Sequence, residues 1–121
     1  MGLDDHTLGL LADVATEFEV AAGHVLVERG QEGAGMFVLV EGSVIVDLPA
    51  GRTIERGPGE FFGELALLGG GPRTARVHAA TPVRCLAIGR KDFDRLLETE
   101  PRIAVAMLPV LARRLADSVT L

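Results

Sequence analysis

Glu64 and Arg73 stand at the two edges of one glycine-rich loop, and no other pair in this chain is better suited to chemistry. The stretch reads Phe61-Phe62-Gly63-Glu64-Leu65-Ala66-Leu67-Leu68-Gly69-Gly70-Gly71-Pro72-Arg73-Thr74-Ala75. Gly63–Leu67 can form about one helical turn. The free amides and positive end of such a turn suit an anion. Gly63 leaves its backbone open to a ligand, and Ala66 is small. Arg73 opens the following strand, where alternation puts it on one face with Ala75 and Val77 and puts Arg76 on the other. A guanidinium fork matches a phosphate or carboxylate with two parallel hydrogen bonds, and the Thr74 hydroxyl can add a third contact. Ionised Glu64 only accepts, so it selects a hydroxyl or an amine. A sugar phosphate satisfies both residues. The alternative is that Glu64 and Arg73 pair with each other across the turn.

The elements that must position this loop follow from periodicity. Leu3, Leu8, Leu11, Ala12 and Ala15 recur at helical spacing, with Asp4 or Asp5 as the cap. From Gly23 onward the pattern is of short strands, at 24–28, 36–41, 43–48, 53–56, 74–80 and 83–88, separated by glycine and proline turns. That pattern indicates a β-sandwich or barrel. Met36–Val40 is apolar on both faces, so one face meets the core and the other lies under a helix or loop. After Ile88 the period is helical, over 92–98 and again from Pro101 toward Ser118. Pro109 must kink or restart the last helix. Leu108, Leu111, Leu115 and Ser118 form either a short helical seam or a stripe packed on the strands. Arg113 and Arg114 read as a solvated face.

The chain has 121 residues, one domain's worth, spanning 1–121. Apolar residues make up 48%, which excludes disorder and leaves enough for a core. The net charge of −5 gives no basic surplus for nucleic acid. The single cysteine, Cys85, excludes an intrachain disulfide and reads as a buried core residue. The start, Met1-Gly2-Leu3-Asp4-Asp5-His6, is acidic where a signal peptide is basic. No apolar run approaches the ~18 residues of a membrane span. A reducing cytoplasm is the expected setting. Eleven arginines against one lysine, Lys91, with 15 glycines, point to a bacterial source. His6, His24 and His78 are scattered without partnering carboxylates, so no metal is expected. No Ser/His/Asp set or carboxylate pair shares one pocket, so no enzyme is expected.

Phe62-Gly63-Glu64-Leu65-Ala66-Leu67-Leu68, followed by Pro72-Arg73-Thr74-Ala75 and Val77, resembles the phosphate-binding cassette of cyclic-nucleotide-binding domains. These include the catabolite activator protein family and the regulatory subunits of cyclic-AMP-dependent kinase. Gly23, Gly30, Gly33, Phe37, Gly42 and Gly57-Pro58-Gly59 fall where that family turns its β-roll. The resemblance implies a mainly β fold: an antiparallel, jelly-roll-like β-roll with an N-terminal helix, a short cassette helix and C-terminal helices. It implies that Glu64 accepts the ribose 2′-hydroxyl and that Arg73 binds the exocyclic phosphate oxygens. Amides around Leu65 and Ala66 complete the phosphate site. Thr74 lies beside phosphate and base, and Phe62, Gly63, Ala75 and Val77 line the pocket. Ser118 falls where bacterial relatives present a hydroxyl to adenine.

The expected function is a cyclic-nucleotide sensor that needs no cofactor. Its ligand is cyclic AMP in preference to cyclic GMP, and occupancy moves the C-terminal helix. The expected partners are the nucleotide and either a second copy through that helix or an effector domain, with neither nucleic acid nor a membrane span. The alternative is a β-roll that carries the cassette as an interaction or structural module and binds no nucleotide.

Overall fold

The computed structural model describes residues 2–33, 35–69 and 72–118; the side chains of Ala66 and Ser118 lie outside the description. Helix α1 spans Asp5–Ala12, and its Asp4 cap accepts from the Thr7 amide at 2.8 Å. Eight strands follow: β1 Thr16–Val20, β2 Val25–Val27, β3 Gly35–Glu41, β4 Val44–Asp47, β5 Thr53–Arg56, β6 Phe61–Phe62, β7 Arg76–Ala79 and β8 Val83–Gly89. Helix α2, Leu65–Leu68, sits in the loop between β6 and β7, and α3, Arg90–Thr99, and α4, Arg102–Ser118, complete the chain.

The strands form two antiparallel four-stranded sheets, ordered β1-β8-β3-β6 and β2-β7-β4-β5. This is the antiparallel β-roll. β3 is sandwiched as its two-faced apolar pattern requires. Met36 and Val38 lie under the helices with Leu11, Phe61, Ile88, Phe93, Ile103 and Met107. Leu39, on the other face, joins Val44, Phe62, Val77 and Cys85 between the sheets.

Several boundaries differ from the sequence reading. β7 begins at Arg76, so Thr74 and Arg73 precede the strand. Helix α2 starts at Leu65, two residues later than Gly63. β1 and β6 were not expected. β6 has only two residues, too few to display a period. The last helix runs without a restart through Pro109. Its packed stripe is Ile103, Met107 and Val110, at spacings of four and three, while Leu108 and Leu115 face solvent.

Candidate functional site

Pairing of β6 with β3 (Phe37 with Phe62, Val38 with Phe61) delivers the chain to the head of the loop. Gly63 turns it there at φ +80°, a conformation that disfavours any side chain. A Cβ at this position would also lie 2.7 Å from Arg73 Nη1. Glu64 caps α2 through its backbone, its carbonyl accepting from Leu67 at 3.0 Å and Leu68 at 2.9 Å.

On the return, the Arg73 amide donates to Gln31 at 2.8 Å, and the Arg73 carbonyl accepts from Gly30 at 2.9 Å. The backbone is therefore clamped even though it is outside a strand. The Arg73 side chain reaches across the loop, with Nη1 donating to the Gly63 carbonyl at 2.9 Å. Its guanidinium carbon lies 5.8 Å from the centre of Phe37, a ring stacked on Phe62 at 5.2 Å. Burial pushes the guanidinium below its ordinary value and the nearby Glu64 carboxylate pushes it back; it stays charged.

These residues border a cleft of about 670 Å³, its open mouth included. Its floor is one row across the second sheet. Val27 pairs with Val77, Val77 with Val46, and Val46 with Ile54, and all four line the cleft with Leu48. Phe62, Gly63, Glu64 and Leu65 form one wall, and Pro72, Arg73, Thr74 and Ala75 another. Apolar surface thus lies beside the Arg73 guanidinium and the Glu64 carboxylate.

Helix α4 closes the cleft with Arg114. Its Nη1 donates to Glu64 Oε1 at 3.2 Å and its Nη2 to the Phe61 carbonyl at 2.6 Å. The guanidinium lies 4.3 Å over the Phe61 ring. The two side chains of the ion pair are only 16% and 12% exposed, so water screens them weakly. Burial lowers the Arg114 pKa and Glu64 opposes that shift. The expectation of a solvated Arg113–Arg114 face is corrected here. Arg113 is exposed, but Arg114 continues the Ile103–Met107–Val110 stripe by four more residues and so faces the roll. The spacing carried that signal, and the neighbouring charge masked it. The pairing of Glu64 with Arg73 is corrected as well: Glu64 pairs with Arg114, and Arg73 bonds to Gly63.

Of the residues singled out in the sequence, Phe62, Gly63, Glu64, Leu65, Arg73, Thr74, Ala75 and Val77 meet at this one cleft. Ala66 lies in α2, and Ser118 ends α4 with its side chain outside the described residues. Arg56 and Arg114 are lining residues that sequence reasoning missed. Among the described residues, no cluster of three His, Cys, Asp or Glu side chains could hold a metal ion. No described helix is long and apolar enough to cross a membrane.

Residues 17–100 match the family model described as "Cyclic nucleotide-binding domain". A cyclic nucleotide-gated potassium channel of Mesorhizobium japonicum is 48% identical over 85 residues, 70% of this chain and 23% of the channel. A CRP-like cAMP-activated global transcriptional regulator of Mycobacterium tuberculosis is 30% identical over 120 residues, 94% of this chain and 53% of the regulator. A solved structure described as "A cyclic-GMP-dependent signalling pathway regulates bacterial phytopathogenesis" superposes with a TM-score of 0.88 at 32% identity. That superposition covers 99% of this chain and all of the other. The chain thus spans about a quarter to a half of the length of these two curated relatives.

Proposed function

The chain belongs to the cyclic nucleotide-binding domain family, and from that premise we propose that it is a non-catalytic sensor whose ligand seats in the Glu64–Arg73 cleft. The observation that carries this reading is the convergence of the acceptor-only Glu64 carboxylate and the anchored Arg73 guanidinium over an apolar floor. Arg73 takes the exocyclic phosphate oxygens, with the amides around Leu65 and Ala66. Glu64 takes the ribose 2′-hydroxyl. Thr74 lies beside phosphate and base, and Val46, Leu48, Ile54 and Val77 receive the flat face of the purine.

Occupancy is read by α4. Arg114 donates to Glu64 Oε1 in the structure, so a ribose hydroxyl bound at Glu64 shares its carboxylate with α4. A ligand shifts a conformational equilibrium only through unequal affinity for its states, and this shared carboxylate is where the inequality arises. Helix α4 therefore repositions on binding. The signal passes to an effector that is fused to the chain or bound through α4, whose Val105, Leu108 and Leu115 are exposed.

Cyclic AMP is the proposed ligand in preference to cyclic GMP. The regulator among the relatives carries cAMP in its name, whereas the structural neighbour is described with cyclic GMP. Phosphate and ribose contacts are common to both nucleotides, so discrimination rests on the base and is modest, about tenfold. The rival reading, a roll that binds no nucleotide, draws on Arg114 already holding one Glu64 oxygen. Calorimetric titration with each nucleotide tests the reading. Saturable binding at one site, tighter for cyclic AMP, is expected. Absence of heat with either nucleotide favours the rival, and a clear cyclic GMP preference overturns the choice of base.

A further inference from the structure

Gly33 has no conformational need to be glycine: its φ lies outside the left-handed region, unlike that of Gly30 at +84° or Gly63 at +80°. What the position lacks is room. A Cβ there would fall on Nε and Cζ of Arg73 and lie 2.8 Å from its Cδ, closer than real Cβ atoms approach a neighbour. The backbone is held on both sides of Gly33. Gly30 and Gln31 bond to the Arg73 backbone at 2.9 and 2.8 Å, Glu32 bridges to Pro72, and Gly35 opens β3 opposite Gly89. The Arg73 side chain, by contrast, turns about several single bonds, so it is the part that yields to a methyl group.

Gly63 bounds the same guanidinium on another side. Its carbonyl takes Nη1 at 2.9 Å, and a Cβ there would lie 2.7 Å from that atom. Two bare stretches of backbone thus form a slot around Arg73. Among the described residues the Gly63 carbonyl is the one acceptor of this guanidinium, which leaves Nε and Nη2 unbonded. Those two donors form the parallel pair that matches phosphate oxygens. We propose that Gly33 is a positioning residue for phosphate: the absence of its side chain seats Arg73 across the loop with the Nε–Nη2 edge free for the ligand. Gly33 does not border the cleft, so a methyl group added there acts on the ligand through Arg73.

The inference rests on the nucleotide-sensor reading, and its test separates the two. Gly33→Ala is made in the wild-type chain and in Arg73→Ala. Cyclic AMP affinity is measured by calorimetry, and the melting temperature by circular dichroism. The Arg73 Nε–H resonance, assigned by its loss in Arg73→Ala, is followed by NMR in the nucleotide-free protein. Gly33→Ala is expected to weaken binding about 10- to 100-fold, the cost of one charge-assisted hydrogen bond. The Nε–H resonance should shift, and the melting temperature should stay within a few degrees of wild type, about the range that one weak contact moves it. Affinity equal to wild type would overturn the proposal. So would weakened binding with the Arg73 resonance unmoved, since Gly33 would then act by another route. If the wild-type chain binds no nucleotide, the sensor reading fails by itself, and the resonance still decides whether Gly33 seats Arg73. Should Gly33→Ala unfold, the double variant with Arg73→Ala decides: regained folding traces the clash to Arg73, and continued unfolding overturns the proposal.

Discussion

Replacing Arg73 with alanine separates what this side chain does for the ligand from what it does for the fold. In the structure it makes one hydrogen bond to a neutral carbonyl, Gly63, and one contact with the Phe37 ring at 5.8 Å. Together these are worth about 1–2 kcal/mol of stability. The melting temperature should fall by several degrees and the chain should stay folded. Toward a phosphate, the same truncation removes one member of a desolvated charge pair, which costs about 2–5 kcal/mol. Affinity should therefore drop roughly 30-fold to several thousandfold. The loss at the ligand exceeds the loss in the fold, and the two are read separately, by calorimetric titration and by thermal melting followed by circular dichroism. Arg76→Ala is the control: three residues on, it is exposed and pairs with Glu28 at 3.4 Å away from the cleft. It should bind as the wild type does. Affinity within twofold of wild type in Arg73→Ala would refute the phosphate assignment.

Glu64→Gln should abolish the preference for ribo over 2′-deoxy cyclic nucleotides, a preference of about 1.5–3 kcal/mol in the wild type; equal binding of both ligands by the wild type would count against Glu64 as the ribose acceptor. On α4, Met107→Ala should cost about 2–5 kcal/mol in urea unfolding, because Met107 is 2% exposed. Its neighbour Leu108, 61% exposed, should tolerate alanine within about 0.5 kcal/mol, and a reversal of that order would disprove the helix orientation. Burial raises the Cys85 thiol from 9.0 to about 11. Between those values the unfolded chain loses a proton that the folded chain keeps, so stability falls as pH rises, by at most about 2–3 kcal/mol. With no tyrosine and one lysine to titrate nearby, Cys85→Ala should flatten urea midpoints across that window.

The loop was legible because its chemistry is local. Gly63, Glu64 and Arg73 lie within one short stretch, and alternation alone placed Ala75 and Val77 beside Arg73 on the cleft. The two-faced apolar run of β3 announced a strand covered on both sides, and Cys85 was readable as core from Val83 and Ala87. β1 was missed because the helical reading was carried to Ala15, directly before Phe18 and Val20 begin to alternate with Glu17 and Glu19. β6 defeats any periodicity argument: its two phenylalanines point into different clusters. Arg56 and Arg114 were invisible for another reason. Each looks like surface charge in its own neighbourhood, and only the tertiary fold, which brings residue 114 to residue 64, makes it part of the cleft.

The strand order carries a consequence for synthesis. β8 lies between β1 and β3, and β7 between β2 and β4. In both sheets an inner strand comes from the last part of the β-region. A chain emerging from its N-terminus can form the β4–β5 and β3–β6 pairings early. β1 and β2, by contrast, have no strand partner until residues 76–89 have been made. Until then both present open hydrogen-bonding edges, the condition under which strands pair with the wrong chain. Fragments that stop before Gly89 should therefore aggregate, and the floor of the cleft, which needs Val77 between Val27 and Val46, is completed only late in translation.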